Sequence, residues 1–171
     1  NFILNECTRL DNYRIYPWLH DPFNNRVSES RPVAFPDVDP TDRPDDFLFT
    51  MVVGDFLQVA KRDKLEETQN YIITSFVLDS SHNVVEFIDV IHKCLKPGGH
   101  WINLGVLDYA YADHPAETSI EIPYAVLKQL VVHAGFNVIK EDPNVACTYG
   151  QNVQSMLVKE YKCAYFICRK E

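Results

Sequence analysis

The chain has 171 residues, enough for one domain with a real hydrophobic core. Its net charge of -8, from 24 acidic and 16 basic residues, disfavours nucleic acid and anionic membranes as partners. No apolar run reaches the length of a membrane span, no signal-peptide pattern opens the chain, and the five cysteines lack zinc-site spacing. We therefore expect a cytoplasmic protein with reduced thiols and no metal, with the nucleus left open as a location.

The chain opens without a nucleotide-binding loop. Phe2 to Leu4 reads as the interior of a helix, since only one residue that can serve as a cap precedes it. The six glycines include no Gly-x-Gly cluster. A glycine-rich cofactor loop of the usual kind is therefore missing from this sequence.

A proline-rich segment spans residues 11–46. It shows no sustained hydrophobic period and is predicted to be a long loop. Its aromatic residues argue against disorder and for packing on the domain. A substrate lid and a covering loop without a role in binding fit this composition equally well. Phe47 to Val53 then reads as a strand, and Phe56 to Ala60 as a short helix.

The rest of the chain is organised around a strand, a helix and a second strand. Tyr71 to Leu78 is apolar and rich in β-branched and aromatic residues, without period-two alternation. This pattern predicts a parallel strand covered on both faces. Apolar residues then recur at three-and-four spacing as far as Leu95, which predicts a helix capped by Ser80 or Ser81.

Pro97 and the glycines after it are predicted to end that helix, and Trp101 to Leu104 to form the next strand. A strand, helix and strand of this length close right-handed into a parallel sheet. Ligands of such sheets bind at the carboxyl ends of the strands. The chemistry is therefore expected at Asp79, at His82 and after Leu104.

The C-terminal part predicts a loop, a helix and two further strands. We predict where these elements begin and end from the positions of proline and glycine and from the spacing of the hydrophobic residues. The four elements are a loop at Val106–Ser119, a helix at Ala125–Ala134 with its C-cap at Gly135, and strands at Phe136–Lys140 and within Ser155–Arg169. This arrangement fits an α/β sheet with an antiparallel edge hairpin.

Several motifs together resemble one enzyme family. The Lys-Pro-Gly-Gly stretch before Trp101 looks like the approach to the fifth strand of class I S-adenosylmethionine-dependent methyltransferases. Narrower motifs resemble the carnosine N-methyltransferase family over the whole chain. They are Phe2-Ile-Leu-Asn5, Tyr16-Pro-Trp18, Asn24-Asn25-Arg26, Phe35-Pro-Asp-Val-Asp-Pro40, Gly54-Asp-Phe56, Asp79-x-x-His-Asn-Val84 and Trp101-Ile-Asn-Leu-Gly105.

The resemblance implies a Rossmann-like sheet with strand order 3-2-1-4-5-7-6 and an antiparallel strand 7. Residues 1–171 are then a single, N-terminally incomplete methyltransferase domain, in which strands 1 and 2 are absent. The implied reaction is methyl transfer from S-adenosylmethionine to an imidazole nitrogen of a small histidine-containing peptide such as carnosine.

The resemblance also implies roles for individual residues. Asp55 and Phe56 contact the adenine of S-adenosylmethionine, and Ser75 lies near the cofactor. Asp79 holds the substrate imidazole and is the one catalytic candidate. Tyr149 and Tyr161 belong to the substrate pocket.

Physical chemistry leaves a second interpretation open for these residues. A carboxylate bonded to the non-reacting ring N–H fixes the imidazole tautomer and makes the other nitrogen a better nucleophile. However, Asp79 also suits a helix cap, and Phe56 suits a plain core position. His82 is interpreted as a structural first-turn residue.

Two departures from the family pattern have consequences. Members with carnosine activity have a histidine where this chain has Ala110, which makes an inactive binding or assembly module the alternative function. In addition, strands 1 and 2 would lie between strand 3 and the strand at Tyr71–Leu78, so their absence leaves the latter strand with one unpaired edge. We expect the missing N-terminal segment or a second copy to cover that edge, and the chain alone to bind the cofactor weakly.

Overall fold

The computed structural model describes residues 6–7, 9–20, 31–44 and 46–171. The helix expected at Phe2–Leu4 lies outside these ranges. The chain divides into two compact units, one at 1–53 and 148–159 and the other at 54–147 and 160–171. No helix among the described residues is both long and apolar enough to span a membrane.

The first unit contains a small antiparallel sheet. Strands β1 (Tyr13–Ile15) and β2 (Val33–Phe35) pair with each other inside the segment predicted as one long loop. Arg31 lies over the ring of Trp18 at 4.3 Å and donates a hydrogen bond of 3.1 Å to Asn152. Such three-residue strands are too short to produce a hydrophobic period, so the sequence did not reveal them.

The prediction of a strand at Phe47–Val53 is wrong. These residues have no regular structure, and the side chains of Leu48 and Val53 are 95% and 87% exposed. A strand needs a neighbour for its backbone hydrogen bonds, and no described strand pairs with this segment. Apolar composition alone did not distinguish this segment from a paired strand.

The second unit alternates helices and strands. Its elements are α1 (Phe56–Arg62), β3 (Gln69–Ser75), a 3₁₀ turn (Leu78–Ser80), α2 (Val84–Cys94), β4 (Leu95–Gly105), α3 (Tyr124–His133), β5 (Phe136–Thr148) and β6 (Glu160–Lys170). The helix predicted to start at Phe56 is confirmed, as is α3 to within one residue, although the C-cap of α3 is Ala134 and not Gly135. The last two strands have shifted ends, because β5 is longer than predicted and β6 starts later.

The sheet has the order β3-β4-β6-β5. β3 and β4 are parallel, with Ile73 opposite Ile102, and β6 runs antiparallel to β4, with Ile167 opposite Ile102. This confirms the strand, helix and strand unit and the antiparallel strand, although β3 ends at Ser75 and Leu78 belongs to the 3₁₀ turn. The carboxyl ends of β3 and β4 and the start of β6 therefore meet at one end of the sheet.

The start of α2 differs from the prediction. Asn83 is the N-cap, since its side chain accepts hydrogen bonds from the backbone N–H groups of Val85 and Glu86. Neither Ser80 nor Ser81 caps the helix, because the 3₁₀ turn displaces both from the capping position. The sequence pattern before the apolar residues of α2 did not show which of the nearby polar residues caps the helix.

The end of α2 also differs. β4 begins at Leu95 directly after the helix, so Pro97 and the two glycines belong to the strand. The β3 register shifts between Gln69 and Tyr71 opposite this stretch, which is where a strand tolerates proline. A Cβ at Gly99 would lie 2.9 Å from the Lys96 carbonyl oxygen, so this position requires glycine.

Helices α2 and α3 cover one face of the sheet. The core includes Ile88 and Ile91 of α2, Leu127 of α3 and Trp101 of β4, all at most 1% exposed. On β3, Tyr71 and Ile73 are 65% and 70% exposed. The expectation that this strand is covered on both faces is therefore not met within the part of the chain that the structure describes.

Candidate functional site

The end of β3 is held against the end of β4. The N–H of Phe76 donates to the carbonyl of Leu104 at 2.9 Å. Phe76 has a positive φ of 51°, and a Cβ at Gly105 would lie 3.1 Å from the Phe76 nitrogen. A glycine at 105 permits this close approach, which turns the chain into the 3₁₀ helix that carries Asp79.

Asp79 is half-buried, and its atom Oδ1 is an unpaired acceptor. Oδ1 is buried and accepts no hydrogen bond from the residues that the structure describes. Burial raises the pKa of the Asp79 carboxyl, and the nearby charge of Asp108 raises this pKa further. A buried acceptor without a partner is costly, so this atom suits a ligand that donates a hydrogen bond.

The loop after β4 closes beside Asp79. The N–H of Ala110 donates to the carbonyl of Asp79 at 2.9 Å. The hydroxyl of Tyr109 donates to the carbonyl of Ile122 at 2.9 Å, and burial raises the pKa of Tyr109, with Asp79 adding to the rise. Position 110, where the family resemblance expects a histidine, therefore lies directly against the candidate site.

His82 anchors the same loop from the other side. Its carbonyl accepts a hydrogen bond of 2.9 Å from the N–H of Ile120. Its ring stacks on Tyr111 with 3.6 Å between centroids, and its Nδ1 lies 3.3 Å from the carbonyl oxygen of Thr118. These contacts agree with the structural role expected for His82.

A buried polar network joins the neighbouring strands β3, β4 and β6 below the site. The indole N–H of Trp101 donates to Thr74 Oγ1, and Thr74 Oγ1 donates to Asn103 Oδ1, both at 2.8 Å. Asn103 Nδ2 donates to the carbonyl of Ala164 at 3.1 Å. The side chains of Thr74, Trp101 and Asn103 thus all have partners in this network, which fixes the register of β3, β4 and β6 beneath Asp79.

The start of β6 contributes an aromatic ring and a thiol. Tyr161 meets Phe76 edge to face, with 6.1 Å between ring centroids. Cys163 is fully buried, and burial raises the pKa of its thiol to about 11, with contributions from Cys147 and from the charge of Asp79. The structure therefore brings Tyr161 to the same end of the sheet as Asp79.

Three other predicted site residues lie at the end of β3 and at the start of α1. Ser75 is the exposed last residue of β3. Asp55 is exposed and caps α1 by accepting from the Gln58 N–H at 3.0 Å. Phe56 packs on Phe87 of α2, with 4.7 Å between ring centroids.

Tyr149 belongs to the first unit and is 63% exposed. Its predicted place in the substrate pocket stays a prediction. Among the described residues, no group of three or more His, Cys, Asp or Glu side chains is arranged to hold a metal.

Sequence reasoning did not assign a role to three residues near Asp79, namely Asp108, Tyr109 and Cys163. The first two follow β4, so the rule that ligands bind at carboxyl ends of strands did indicate their region. Cys163 lies on the antiparallel strand β6, which begins at the same end of the sheet as Asp79. No local sequence motif predicts a role for Cys163. Only the strand pairing shows that it is close to Asp79.

The fold and site define an α/β domain with a buried carboxylate oxygen that has no partner among the described residues, at the carboxyl end of a parallel strand. The chain belongs to the carnosine N-methyltransferase family, whose model matches residues 1–171.

Curated relatives agree with this membership. The chain is 42% identical over 172 residues to carnosine N-methyltransferase of Rattus norvegicus, covering 99% of this chain and 42% of that protein. It is 38% identical to carnosine N-methyltransferase unmet of Drosophila melanogaster, covering 99% of this chain and 37% of that protein. For the Schizosaccharomyces pombe carnosine N-methyltransferase the identity is 31%, covering 99% and 48%. The chain thus spans less than half the length of these relatives.

Proposed function

We propose that this chain is part of an S-adenosylmethionine-dependent N-methyltransferase that methylates an imidazole nitrogen of a small histidine-containing peptide, such as carnosine. The observation that carries the proposal is the buried, unpaired Oδ1 of Asp79 at the carboxyl end of β3. Membership in the carnosine N-methyltransferase family supports the class of substrate.

Asp79 acts by orienting the imidazole. Its Oδ1, which otherwise has no partner, accepts a hydrogen bond from the ring N–H of the neutral imidazole. The other ring nitrogen is then left as the nucleophile. As that nitrogen gains a methyl group the ring becomes cationic, and the adjacent carboxylate stabilises the charge. Alignment of bound reactants is worth roughly 7 to 11 kcal/mol, so no strong base is required.

The adenine end of the cofactor fits the start of α1. The helix cap uses only Oδ1 of Asp55, so the other carboxylate oxygen can accept a hydrogen bond from an amino group. The half-exposed ring of Phe56 offers a surface for stacking, and Ser75 would lie near the cofactor. The bound cofactor supplies an electrophilic methyl group on its sulfonium sulfur. Tyr149 and Tyr161 are proposed to line the substrate pocket.

We also propose that the complete sheet has the order 3-2-1-4-5-7-6. The observed order β3-β4-β6-β5 then corresponds to strands 4-5-7-6. In that order strand 1 would pair with the free edge of β3. Because Asp55, Phe56 and Ser75 hold only the adenine end, this chain alone is expected to bind S-adenosylmethionine weakly.

The Asp79→Asn variant tests the proposed role in the complete gene product. An amide cannot neutralise the imidazolium charge, so we expect single-turnover methyl transfer to fall about 100-fold or more. Cofactor affinity measured by calorimetry should stay within about twofold of wild type, since Asp79 contacts the acceptor. The exposed Asp89 of α2 supplies the control, Asp89→Asn, which should retain full turnover. Wild-type turnover by Asp79→Asn would reduce Asp79 to a structural residue.

The alanine at position 110 bears on how well carnosine serves as a substrate. Its small side chain beside the Asp79 carbonyl removes a polar contact that a histidine would provide. We therefore expect carnosine to be a poorer substrate than another imidazole-bearing compound. Mass spectrometry of methylated products from a panel of histidine dipeptides measures the order. Carnosine at the top of the panel would show that Ala110 has no effect, and no product with any compound would favour the inactive module.

A further inference from the structure

The loop between β4 and α3, residues 106–123, has little buried surface of its own. Apart from an isolated bridge between Asn83 and Ile120, these residues form no helix or strand. The side chains of residues 112–118 are all exposed. Segments with few buried contacts are the least stable parts of a fold, so each contact that this loop makes has a large effect on its position.

Two backbone hydrogen bonds attach the two arms of the loop to one short segment. The N–H of Ala110 donates to the carbonyl of Asp79, and the N–H of Ile120 donates to the carbonyl of His82, both at 2.9 Å. Asp79 and His82 both lie between the end of β3 and the start of α2. The loop therefore leaves the sheet beside Asp79 and returns beside His82.

The ring of His82 links the two arms of the loop to each other. It stacks on Tyr111 of the first arm with 3.6 Å between ring centroids, and its Nδ1 lies 3.3 Å from the carbonyl oxygen of Thr118 on the second arm. Because a carbonyl oxygen only accepts, Nδ1 carries the hydrogen in this contact. Glu117 Oε2 lies 3.9 Å from the same nitrogen, which is beyond hydrogen-bond distance, and an ion pair at this exposed position adds little.

We propose that His82 is a positioning residue for the methyl acceptor, because its ring holds the loop at 106–123 against the segment that carries Asp79. The inference rests on the proposed function, in which Asp79 binds the acceptor imidazole. Since Ala110 of the loop bonds the Asp79 backbone, movement of the loop changes the space beside the Asp79 carboxylate. Asp55 and Phe56, proposed to hold the cofactor adenine, lie at the start of α1 and make none of these contacts. Loss of the His82 ring should therefore weaken binding of the acceptor and not of the cofactor.

Steady-state kinetics of the complete gene product test this separation. The acceptor is the histidine dipeptide that the wild-type enzyme methylates best. We expect His82→Ala to raise the KM for this dipeptide about tenfold, while kcat stays within about threefold and the KM for S-adenosylmethionine within about twofold. His133→Ala, at an exposed histidine of α3, is the control and should leave all three constants unchanged. An unchanged dipeptide KM in His82→Ala, or an equal rise in both KM values, would overturn the proposal.

Variants of Tyr111 test the ring contact from the side of the loop. Tyr111→Ala removes the stacking partner and should also raise the dipeptide KM, whereas Tyr111→Phe keeps an aromatic ring and should not. The His82→Ala, Tyr111→Ala double variant should raise the KM by clearly less than the product of the two single effects, because both changes remove one shared contact. A double effect equal to that product would mean that the two rings act independently, which contradicts the proposal.

Hydrogen exchange followed by mass spectrometry measures the loop without any methyl transfer. In His82→Ala, the backbone amides of residues 110–120 should exchange about tenfold faster than in the wild-type protein. The amides of β4 should keep their exchange rate, which also shows that the variant is folded. Unchanged exchange in the loop would refute the proposal even in a fully active enzyme. If the wild-type protein methylates no histidine dipeptide, the proposed function fails, and the exchange result still decides whether His82 holds the loop.

Discussion

At the scale of the single residue, the partly buried carboxyl of Asp79 carries a cost in stability. Burial raises its pKa, so the folded protein favours the protonated carboxyl more than the unfolded chain does. Its contribution to stability is therefore full below the ordinary pKa of 3.8 and is lost as the pH rises through the higher folded value.

We predict a pH-dependent gain in stability from Asp79→Asn. Asparagine does not ionise, so the free energy of unfolding of the variant relative to wild type should increase as the pH rises from about 4 towards 7. Urea unfolding at several pH values measures this difference, with Asp89→Asn as the control. A difference that is constant with pH would mean that the Asp79 carboxylate is solvated in the folded state.

At the scale of the element, the start of α2 depends on one capping side chain. Asn83 satisfies two of the backbone N–H groups in the first helical turn. Asn83 also pairs with Ile120 of the loop beside the site, through an isolated parallel bridge. The helix start and the loop position are therefore set by the same short segment.

Replacing this cap should weaken the domain measurably. We expect Asn83→Ala to lower the free energy of unfolding by about 1 kcal/mol, because two N–H groups lose their acceptor. Ser80→Ala, on a residue that the sequence also offered as a cap, should cost less than about 0.5 kcal/mol. Chemical denaturation of both variants makes the comparison. An equal loss in the two would show that capping is shared between them.

At the scale of the whole molecule, β3 is an edge strand of the sheet in the described part of the chain. Its outward residues Tyr71 and Ile73 are apolar and exposed. An apolar edge of this kind can pair with another strand. We predict that the edge is covered in the complete protein, and that the 171-residue chain expressed alone self-associates through it.

Analytical ultracentrifugation tests the role of this edge. Ile73→Lys places a charge on β3 and should shift the isolated chain towards the monomer, since charged residues oppose edge pairing. Val132→Lys, at an exposed position of α3, is the matched control and should leave the association unchanged. If the unmodified chain is monomeric at high concentration, the edge is not a pairing surface.

The sequence alone determined the central elements and the candidate carboxylate. The apolar residues along one side of α2 and the apolar run of β3 are local patterns. Ligands of parallel sheets bind at the carboxyl ends of the strands, so these patterns also indicated the region of Asp79. The family motifs were also local, and the family is confirmed. These features could be predicted because each depends on neighbours that are close in the sequence.

Only the tertiary structure decided which of the polar residues meet and which strands pair. Asn83, rather than Ser80 or Ser81, caps α2, because the 3₁₀ turn sets where the helix begins. Phe47–Val53 stays irregular, because a strand forms only beside a partner. Asn103 of β4 bonds the carbonyl of Ala164 of β6 because these two strands pair, although the residues are far apart in the chain. Such contacts depend on the geometry of the sheet, which no local pattern encodes.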